Sequence, residues 1–120
     1  MVRTGPTNPY LKNLIIELRK KSLEEKAPIW KDVAEKLEKP RRKKVEVNLS
    51  DINRHAKENE TILVPGVVLA NGSLTKQVTI AAWRFSKNAI KKIKESGSKI
   101  MTIEELMKVN PKGSNVRIMV

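Results

Sequence analysis

The chain has 120 residues, no cysteine and a formal net charge of +12 at pH 7. The length predicts one domain, and the lack of cysteine excludes disulfides, thiolate metal sites and cysteine catalysis. No apolar run reaches the roughly 18 residues that a membrane-spanning helix needs, and residues 1–10 show no apolar core of a secretory signal. We therefore expect an intracellular protein whose partner is a polyanion.

Two amphipathic helices are predicted at the start of the chain. Asn8 and Pro9 are typical of a helix start, with asparagine as the capping residue and proline at the first helical position. The apolar residues that follow have helical spacing, at Leu11, Leu14, Ile15 and Leu18. A second helix is predicted between Pro28 and Pro40, because proline is tolerated in the first turn of a helix but not in its interior. Its apolar line consists of Ile29, Val33 and Leu37, with Trp30 and Ala34 beside it.

The rest of the chain is predicted to alternate strands with short helices. Strands are expected over residues 45–49, 61–69 with a bend or bulge at Pro65-Gly66, 77–85, around Ile100 and from Val116 to Val120. Helices are expected after the capping residues Ser50, Ser86 and Thr102, and turns at Asn71-Gly72 and residues 110–113. The predicted fold class is α/β, a small single domain over residues 1–120. It is divided into an N-terminal helical extension (1–38), a basic loop (39–44) and an α/β core (45–120).

The basic loop is the sharpest functional signal. Lys39, Arg41, Arg42, Lys43 and Lys44 surround a single proline, and the loop has no apolar residue to bury. Lysine and arginine side chains in such a loop bind phosphates, and arginine can grip one phosphate with two parallel hydrogen bonds. The alternative is an import signal or a merely solvated run of charge. We favour a nucleic-acid contact, because residues 61–94 contain no acidic residue at all.

The acid-free stretch adds a second set of cations. They are Lys76, Arg84, Lys87, Lys91, Lys92 and Lys94. Three of them, Lys87, Lys91 and Lys94, fall on one face of the predicted helix after Ser86. Like charges at this spacing repel one another, so an anionic partner would offset the repulsion. A solvated helix face is an equally good interpretation of those three residues alone.

Aromatic residues give a weaker signal. Trp83 and Phe85 are two positions apart in a predicted strand, so they would share one face and could stack on bases. The alternative, which we favour, is that they pack against the following helix. The sequence therefore predicts recognition of RNA shape and phosphates more than base-by-base recognition.

No catalytic constellation is evident. His55 is the only histidine and lacks metal-ligating or nucleophilic neighbours in the sequence. Residues 72–76 superficially resemble a phosphate-binding loop but lack its G-x-x-x-x-G-K-[ST] spacing. The carboxylate pairs are explained by helix caps and solvated helix surfaces. We expect no enzyme activity, no cofactor, no metal and no small-molecule substrate.

Six short motifs, in order along the chain, resemble one protein family. They are residues 27–30 (A-P-I-W), 37–42 (L-E-K-P-R-R), 64–66 (V-P-G), 72–76 (G-S-L-T-K), 80–83 (I-A-A-W) and 110–114 (N-P-K-G-S). Together they resemble the archaeal and eukaryotic large-subunit ribosomal protein eighteen-e family over nearly the whole chain, with an archaeal-like length. Residues 68–97 also resemble the C-terminal half of bacterial large-subunit protein fifteen.

The resemblance implies a structural component of the large ribosomal subunit, located in the cytoplasm within the ribosome. It implies an irregular β-β-α superhelical core, and as partners the large-subunit ribosomal RNA and neighbouring large-subunit proteins, with no membrane contact. The family's basic segment falls on residues 39–42, its L-T-K turn on 74–76 and its N-P-K-G-S turn on 110–114. The RNA-binding residues expected from charge and resemblance together are Arg3, Lys39, Arg41, Arg42, Lys43, Lys44, Lys76, Arg84, Lys87, Lys91 and Lys112. The alternative function is a stand-alone, non-specific DNA- or RNA-binding protein of the chromatin or RNA-chaperone type.

Overall fold

A parallel five-stranded sheet separates two helix layers in the computed structural model, which describes residues 9–38 and 45–119. The elements in chain order are α1 (Pro9–Glu25), α2 (Pro28–Leu37), β1 (Val45–Asn48), α3 (Leu49–His55), β2 (Thr61–Leu69), β3 (Thr79–Phe85), α4 (Lys87–Glu95), β4 (Lys99–Thr102), α5 (Ile103–Val109) and β5 (Val116–Ile118). The predicted α/β class is confirmed. The succession β2, β3, α4 also has the expected β-β-α order.

The sheet is organised around β2. On one side β2 pairs with β3, and β3 pairs with β4. On the other side β2 pairs with two short strands, β5 at Thr61–Leu63 and β1 at Gly66–Leu69. Between Val64 and Val67 the register of β2 against β3 shifts by one residue, so Pro65 and Gly66 lie opposite a single residue of β3. This is the predicted bulge.

Alternating residues of β2 and β3 supply two separate cores. Leu63 and Ala81 point to one face, where they pack against α1, α2 and α5. Ile62, Val64 and Ile80 point to the other face, where α3 and α4 cover them. The predicted apolar stripe of α1 is buried on the first face, as is the predicted apolar line of α2, apart from partly exposed Ile29. The first helices thus form one layer of the domain together with α5.

Caps explain where the short helices begin. The Ser86 hydroxyl accepts a hydrogen bond from the Ala89 N–H at 3.2 Å, and the Thr102 hydroxyl accepts one from the Glu105 N–H at 3.0 Å. Both predicted caps are therefore confirmed. The cap of α3 was predicted wrongly as Ser50. Asn48 occupies the capping position instead, since the helix begins at Leu49, and Asp51 completes a capping box by accepting a hydrogen bond from the Asn48 N–H at 3.3 Å.

The connection between β2 and β3 contains no helix. It bends at the predicted Asn71-Gly72 turn, where Gly72 has φ +90°, and it buries Leu74 and Val78 against the core on the α3 and α4 side. Strand β3 begins at Thr79, two residues later than predicted. The reason is that the Gln77 N–H donates to Glu58 and the Val78 N–H donates to the Ser98 hydroxyl, so neither is available to the sheet.

Glu60 gives the fold a pH-dependent contact. Its carboxylate accepts a hydrogen bond from the Lys57 N–H at 3.0 Å and another from the Arg117 guanidinium at 3.0 Å. The backbone hydrogen bond, and secondarily the arginine, hold the pKa of Glu60 below its ordinary value of 4.5. A carboxyl group with a lowered folded-state pKa stabilises the fold above the unfolded-state pKa, and this contribution is lost as the pH falls through the folded-state pKa.

We therefore expect Glu60→Gln to lower the free energy of unfolding at neutral pH, and this difference to shrink as the pH falls below 4.5. Urea unfolding of both proteins over that pH range measures it. Glu95→Gln is the matched control, since the Glu95 carboxylate has no hydrogen bond or ion pair among the described residues. A Glu60→Gln deficit that stays constant across the range would contradict the assignment.

Candidate nucleic-acid interface

The two helix layers carry different charge. The layer of α1, α2 and α5 is balanced, with seven basic and seven acidic residues. The layer of α3 and α4 has five basic residues and two acidic ones. These are Arg54, Lys87, Lys91, Lys92 and Lys94 against Asp51 and Glu95. The charge segregation seen along the sequence thus becomes a difference between the two sides of the sheet, and the cationic side is the candidate interface.

Helix α4 presents the centre of this interface. Ala89 and Ile93 are completely buried against the sheet, so the opposite side of the helix faces solvent. Lys87, Lys91 and Lys94 are all exposed there, as their spacing predicts. Neither of the two ion pairs among the described residues involves α4. The ammonium groups of this face are therefore available to an external anion.

Arg84 lies three residues before Lys87 in the chain, at the end of β3. It is exposed, and its guanidinium carbon lies 5.5 Å from the ring centroid of the adjacent Trp83. The ring contact orients the guanidinium and leaves its N–H donors available, whereas an ion pair with an acidic residue would occupy them. Arg84 and Lys87 thus lie on either side of the capping residue Ser86 in the chain. The ring contact itself was not foreseen from the sequence.

Two other lysines of this layer are tied to the backbone. The Lys76 ammonium donates to the Ala56 carbonyl at 2.6 Å, where α3 ends. The Lys92 ammonium donates to the carbonyls of Ala70 and Gly72 at 2.9 Å and 2.8 Å. Both lysines fasten the helix-free connection between β2 and β3. Sequence reasoning missed this anchoring role, because no local pattern indicates which carbonyl a lysine will reach some twenty residues away.

Lys112 does not join the α4 face. It lies in the predicted turn before β5, and the neighbouring Pro111 carbonyl accepts a hydrogen bond from the Trp30 indole. Trp30 belongs to α2, so this turn packs on the α1, α2 and α5 side of the sheet. Lys112, one of the expected RNA-binding residues, is exposed in a turn on the other side of the sheet from α4.

The remaining predicted contacts lie outside the described residues. These are Arg3 and the basic loop, Lys39, Arg41, Arg42, Lys43 and Lys44. The structure does define both flanks of the loop. Leu37 is fully buried at the end of α2, and Val45 pairs with Gly66 of β2. The described flanks thus belong to the neutral helix layer before the loop and to the edge strand β1 after it.

Trp83 and Phe85 do not share a face. Trp83 packs against the core under α1, α2 and α5, whereas Phe85 packs against the core under α3 and α4. The bulge in β2 changes the pairing with this part of β3, so simple alternation fails at its end. A stacking pair on one sheet face is thus excluded. The interpretation that these aromatics pack against the following helix is confirmed for Phe85, whose core includes Ala89 and Ile93 of α4, and is wrong for Trp83, which packs on the other side of the sheet.

Other kinds of site are not found in the described part of the chain. No group of three or more histidine, cysteine or acidic side chains is arranged to hold a metal ion there. None of the helices in residues 9–38 and 45–119 is long and apolar enough to cross a membrane. His55 is exposed on α3, as expected for a histidine without a site.

A small α/β domain with one cationic and one neutral helix layer is typical of a nucleic-acid-binding protein. Comparison with known proteins gives the particular family. A family model described as ribosomal protein 60S L18 and 50S L18e matches residues 3–120. The chain therefore belongs to this family of large-subunit ribosomal proteins, which confirms the resemblance seen in its motifs.

Individual relatives agree over almost their full length. The large ribosomal subunit protein eL18 of Archaeoglobus fulgidus is 54% identical over 114 residues, covering 95% of this chain and 97% of that relative. The protein of the same name from Methanococcus maripaludis is 55% identical over 119 residues, covering 99% of each. The one from Methanopyrus kandleri is 48% identical over 120 residues, covering 96% and 94%.

Proposed function

We propose that this chain is a non-enzymatic structural constituent of the large ribosomal subunit that binds ribosomal RNA with its α3 and α4 layer. The proposal combines the family with one observation, the exposed and unpaired cations of α4 on an otherwise acid-poor side of the sheet. Its location would be the ribosome in the cytoplasm, beside other proteins of the large subunit. Its task would be to neutralise phosphates where RNA segments approach one another.

The primary contact is assigned to Arg84, Lys87 and Lys91. Lys87 and Lys91 are one helical turn apart, about 6 Å along the axis, and Arg84 adds a planar group that can bind a phosphate with two hydrogen bonds. Lys76 lies in the same layer. Its ammonium group already donates one hydrogen bond to the Ala56 carbonyl, so only its remaining N–H groups can contact RNA. Lys112 would contact RNA separately, on the other side of the sheet.

Arg3 and the basic loop complete the proposal. The loop over residues 39–44 is the densest run of positive charge in the chain. It returns to the sheet at Val45, so it would bind RNA at the edge of the domain, apart from α4. Each of its cations that neutralises a phosphate would add to the salt dependence of binding.

The α4 contact can be measured through that salt dependence. The triple variant Arg84→Ala, Lys87→Ala, Lys91→Ala should bind purified large-subunit RNA more weakly, with a salt slope reduced by roughly 2 to 3 units, about 0.7 to 0.9 per phosphate contact. Filter binding over a series of potassium chloride concentrations gives the slope. The matched control removes three cations of the neutral layer, Lys31, Lys36 and Lys108. Equal losses in the two triple variants would overturn the assignment to α4.

Sedimentation distinguishes the ribosomal role from the alternative of a stand-alone nucleic-acid binder. Cell lysate is resolved on a sucrose gradient before and after a high-salt wash, and the chain is followed in every fraction. Retention in the large-subunit peak after the wash is the expected result. Release to the top of the gradient, or recovery with DNA, would favour the alternative.

A further inference from the structure

Helix α4 has one neutral polar side chain on its exposed side. Asn88 is exposed, and its amide group makes no hydrogen bond to another described residue. The other exposed side chains of the helix are all charged, namely Lys87, Lys91, Lys92, Lys94 and Glu95. Lysine can only donate hydrogen bonds and a carboxylate can only accept them, whereas an amide group does both. Asn88 therefore adds a kind of contact that the rest of the α4 surface lacks.

The cations of the first part of α4 surround Asn88. Lys87 precedes it directly, and Lys91 is three positions further on, which makes Asn88 and Lys91 neighbours on the helix surface. Glu95, the one acid of α4, is four positions beyond Lys91 and two turns beyond Asn88. It forms no ion pair among the described residues. An anionic ligand should therefore bind toward the start of the helix, beside Asn88.

The same surface offers no aromatic ring to an unpaired base. Of the four aromatic residues of the chain, Tyr10 is exposed on α1 and Trp30 is fully buried. Trp83 packs against the core on the α1 side, and Phe85 belongs to the core beneath α4. Proteins that bind single-stranded nucleic acid stack the bases on aromatic side chains. The α4 surface instead suits paired RNA, whose phosphates and riboses lie on the outside.

We propose that α4 binds double-stranded RNA across its minor groove, with Lys87 and Lys91 on phosphates and the Asn88 amide on a ribose 2′-hydroxyl. This inference rests on the proposed function and adds the class of RNA and a residue that distinguishes RNA from DNA. The minor groove of paired RNA is wide and shallow and displays the 2′-hydroxyl groups, whereas side chains cannot read its narrow major groove. A 2′-hydroxyl donates and accepts hydrogen bonds, as an amide group does.

The two kinds of side chain then have separate tasks. Lysine binds the phosphates of RNA and DNA alike and makes the affinity depend on salt. Asn88 is uncharged and displaces no counterion, so it should leave the salt dependence unchanged. Its contribution should appear only when the nucleic acid carries a free 2′-hydroxyl. Asn88 is thus a specificity-determining residue, and its effect can be measured separately from that of the cations.

Two hairpins of the same sequence, each of about 16 base pairs, test this role. One is ordinary RNA, and the other carries a methyl group on every 2′-oxygen, which keeps the phosphates and the paired shape but removes the hydroxyl donor. Fluorescence anisotropy gives the affinity of the full chain for each. Asn88→Ala should lower the affinity for the ordinary hairpin about fivefold, as expected for one lost neutral hydrogen bond. For the methylated hairpin, the variant and the unmodified chain should bind equally.

Asn13→Ala is the matched control, since Asn13 is an exposed asparagine of α1 on the other side of the sheet. It should bind both hairpins as the unmodified chain does. Alanine has a higher helix propensity than asparagine, so both variants should fold, which circular dichroism checks. Equal losses of Asn88→Ala on the two hairpins, no loss on the ordinary hairpin, or an equal loss in Asn13→Ala would each overturn the role of Asn88.

An unpaired RNA strand with the same number of phosphates tests the preference for paired RNA. The double variant Lys87→Ala, Lys91→Ala should lose more affinity for the hairpin than for this strand. Equal losses would overturn the assignment of α4 to paired RNA.

The salt slope on large-subunit RNA separates this inference from the proposed function. If the triple variant of Arg84, Lys87 and Lys91 lowers that slope while the hairpin results fail, only the present inference is overturned. An unchanged slope in the triple variant overturns both.

Discussion

Replacing Gly66 by Ala should lower the free energy of unfolding by about 3 kcal/mol, the upper range for overpacking a buried site. Gly66 lies at the bulge of β2, where β1 begins to pair with it at Val45. A Cβ atom on Gly66 would stand 2.0 Å from the Val45 carbonyl oxygen and 2.8 Å from the carbonyl carbon. Backbone cannot rotate away as a side chain can, so β1 would have to move off β2.

The effect should extend to the basic loop, because Val45 directly follows it in the chain. Hydrogen exchange at the amides of β1 should be faster in Gly66→Ala, and RNA affinity should fall along with stability. Gly97→Ala is the control. Gly97 has φ +81°, but its new Cβ would meet only the flexible Gln77 side chain, at 3.0 Å, so the expected cost is about 1 kcal/mol. Urea unfolding that ranks Gly97→Ala as the more damaging change would contradict this steric argument.

Local signals in the sequence predict most of the elements. The helical spacing of the apolar residues in α1 correctly predicts which side chains are buried, since all four of its predicted core residues are buried. The caps at Ser86 and Thr102 and the bulge at Pro65-Gly66 depend on short-range hydrogen bonding and sterics, which a few neighbouring residues determine. Asn48 shows the limit of this reasoning. Asn48 and Ser50 are both polar residues that could cap α3, but the helix already includes Leu49, which is fully buried, so Ser50 lies inside its first turn.

Relations between distant residues could not be predicted in the same way. The side of the sheet on which Lys112 lies depends on a hydrogen bond between residues 81 positions apart in the chain. The separation of Trp83 from Phe85 depends on a bulge in the neighbouring strand, not in their own. Which lysines are anchors and which are free is likewise determined by the path of the connection between β2 and β3. Composition predicts that the surface is cationic, but only the fold determines which side of the domain carries the cations.

The parallel sheet explains how one small domain can offer two different surfaces. Its strands bury residues on both faces, so each helix layer has its own core and its own solvent side. Charge on α4 can therefore be optimised for a polyanion without affecting the α1 side. Helix α1 and the cations of α4 lie on opposite sides of the sheet.

Trp30→Ala should lower the free energy of unfolding by about 3 to 5 kcal/mol, as expected for removing a large buried aromatic side chain. Trp30 is fully buried between α1, α2 and the sheet. The free energy of unfolding of a small domain is only about 5 to 15 kcal/mol. This variant should therefore be largely unfolded at moderate urea concentrations. Urea unfolding followed by circular dichroism measures the loss.

Trp30→Phe separates the contribution of packing from that of the hydrogen bond. Phenylalanine keeps most of the apolar contact but cannot donate to the Pro111 carbonyl, which Trp30 reaches at 2.6 Å. The expected cost is about 1 kcal/mol for the lost bond plus a small packing term, with faster hydrogen exchange confined to the turn before β5. Trp83→Phe is the control, since Trp83 is only partly buried. If Trp30→Phe were as damaging as Trp30→Ala, the hydrogen bond, and not the ring, would be what fastens this turn to α2.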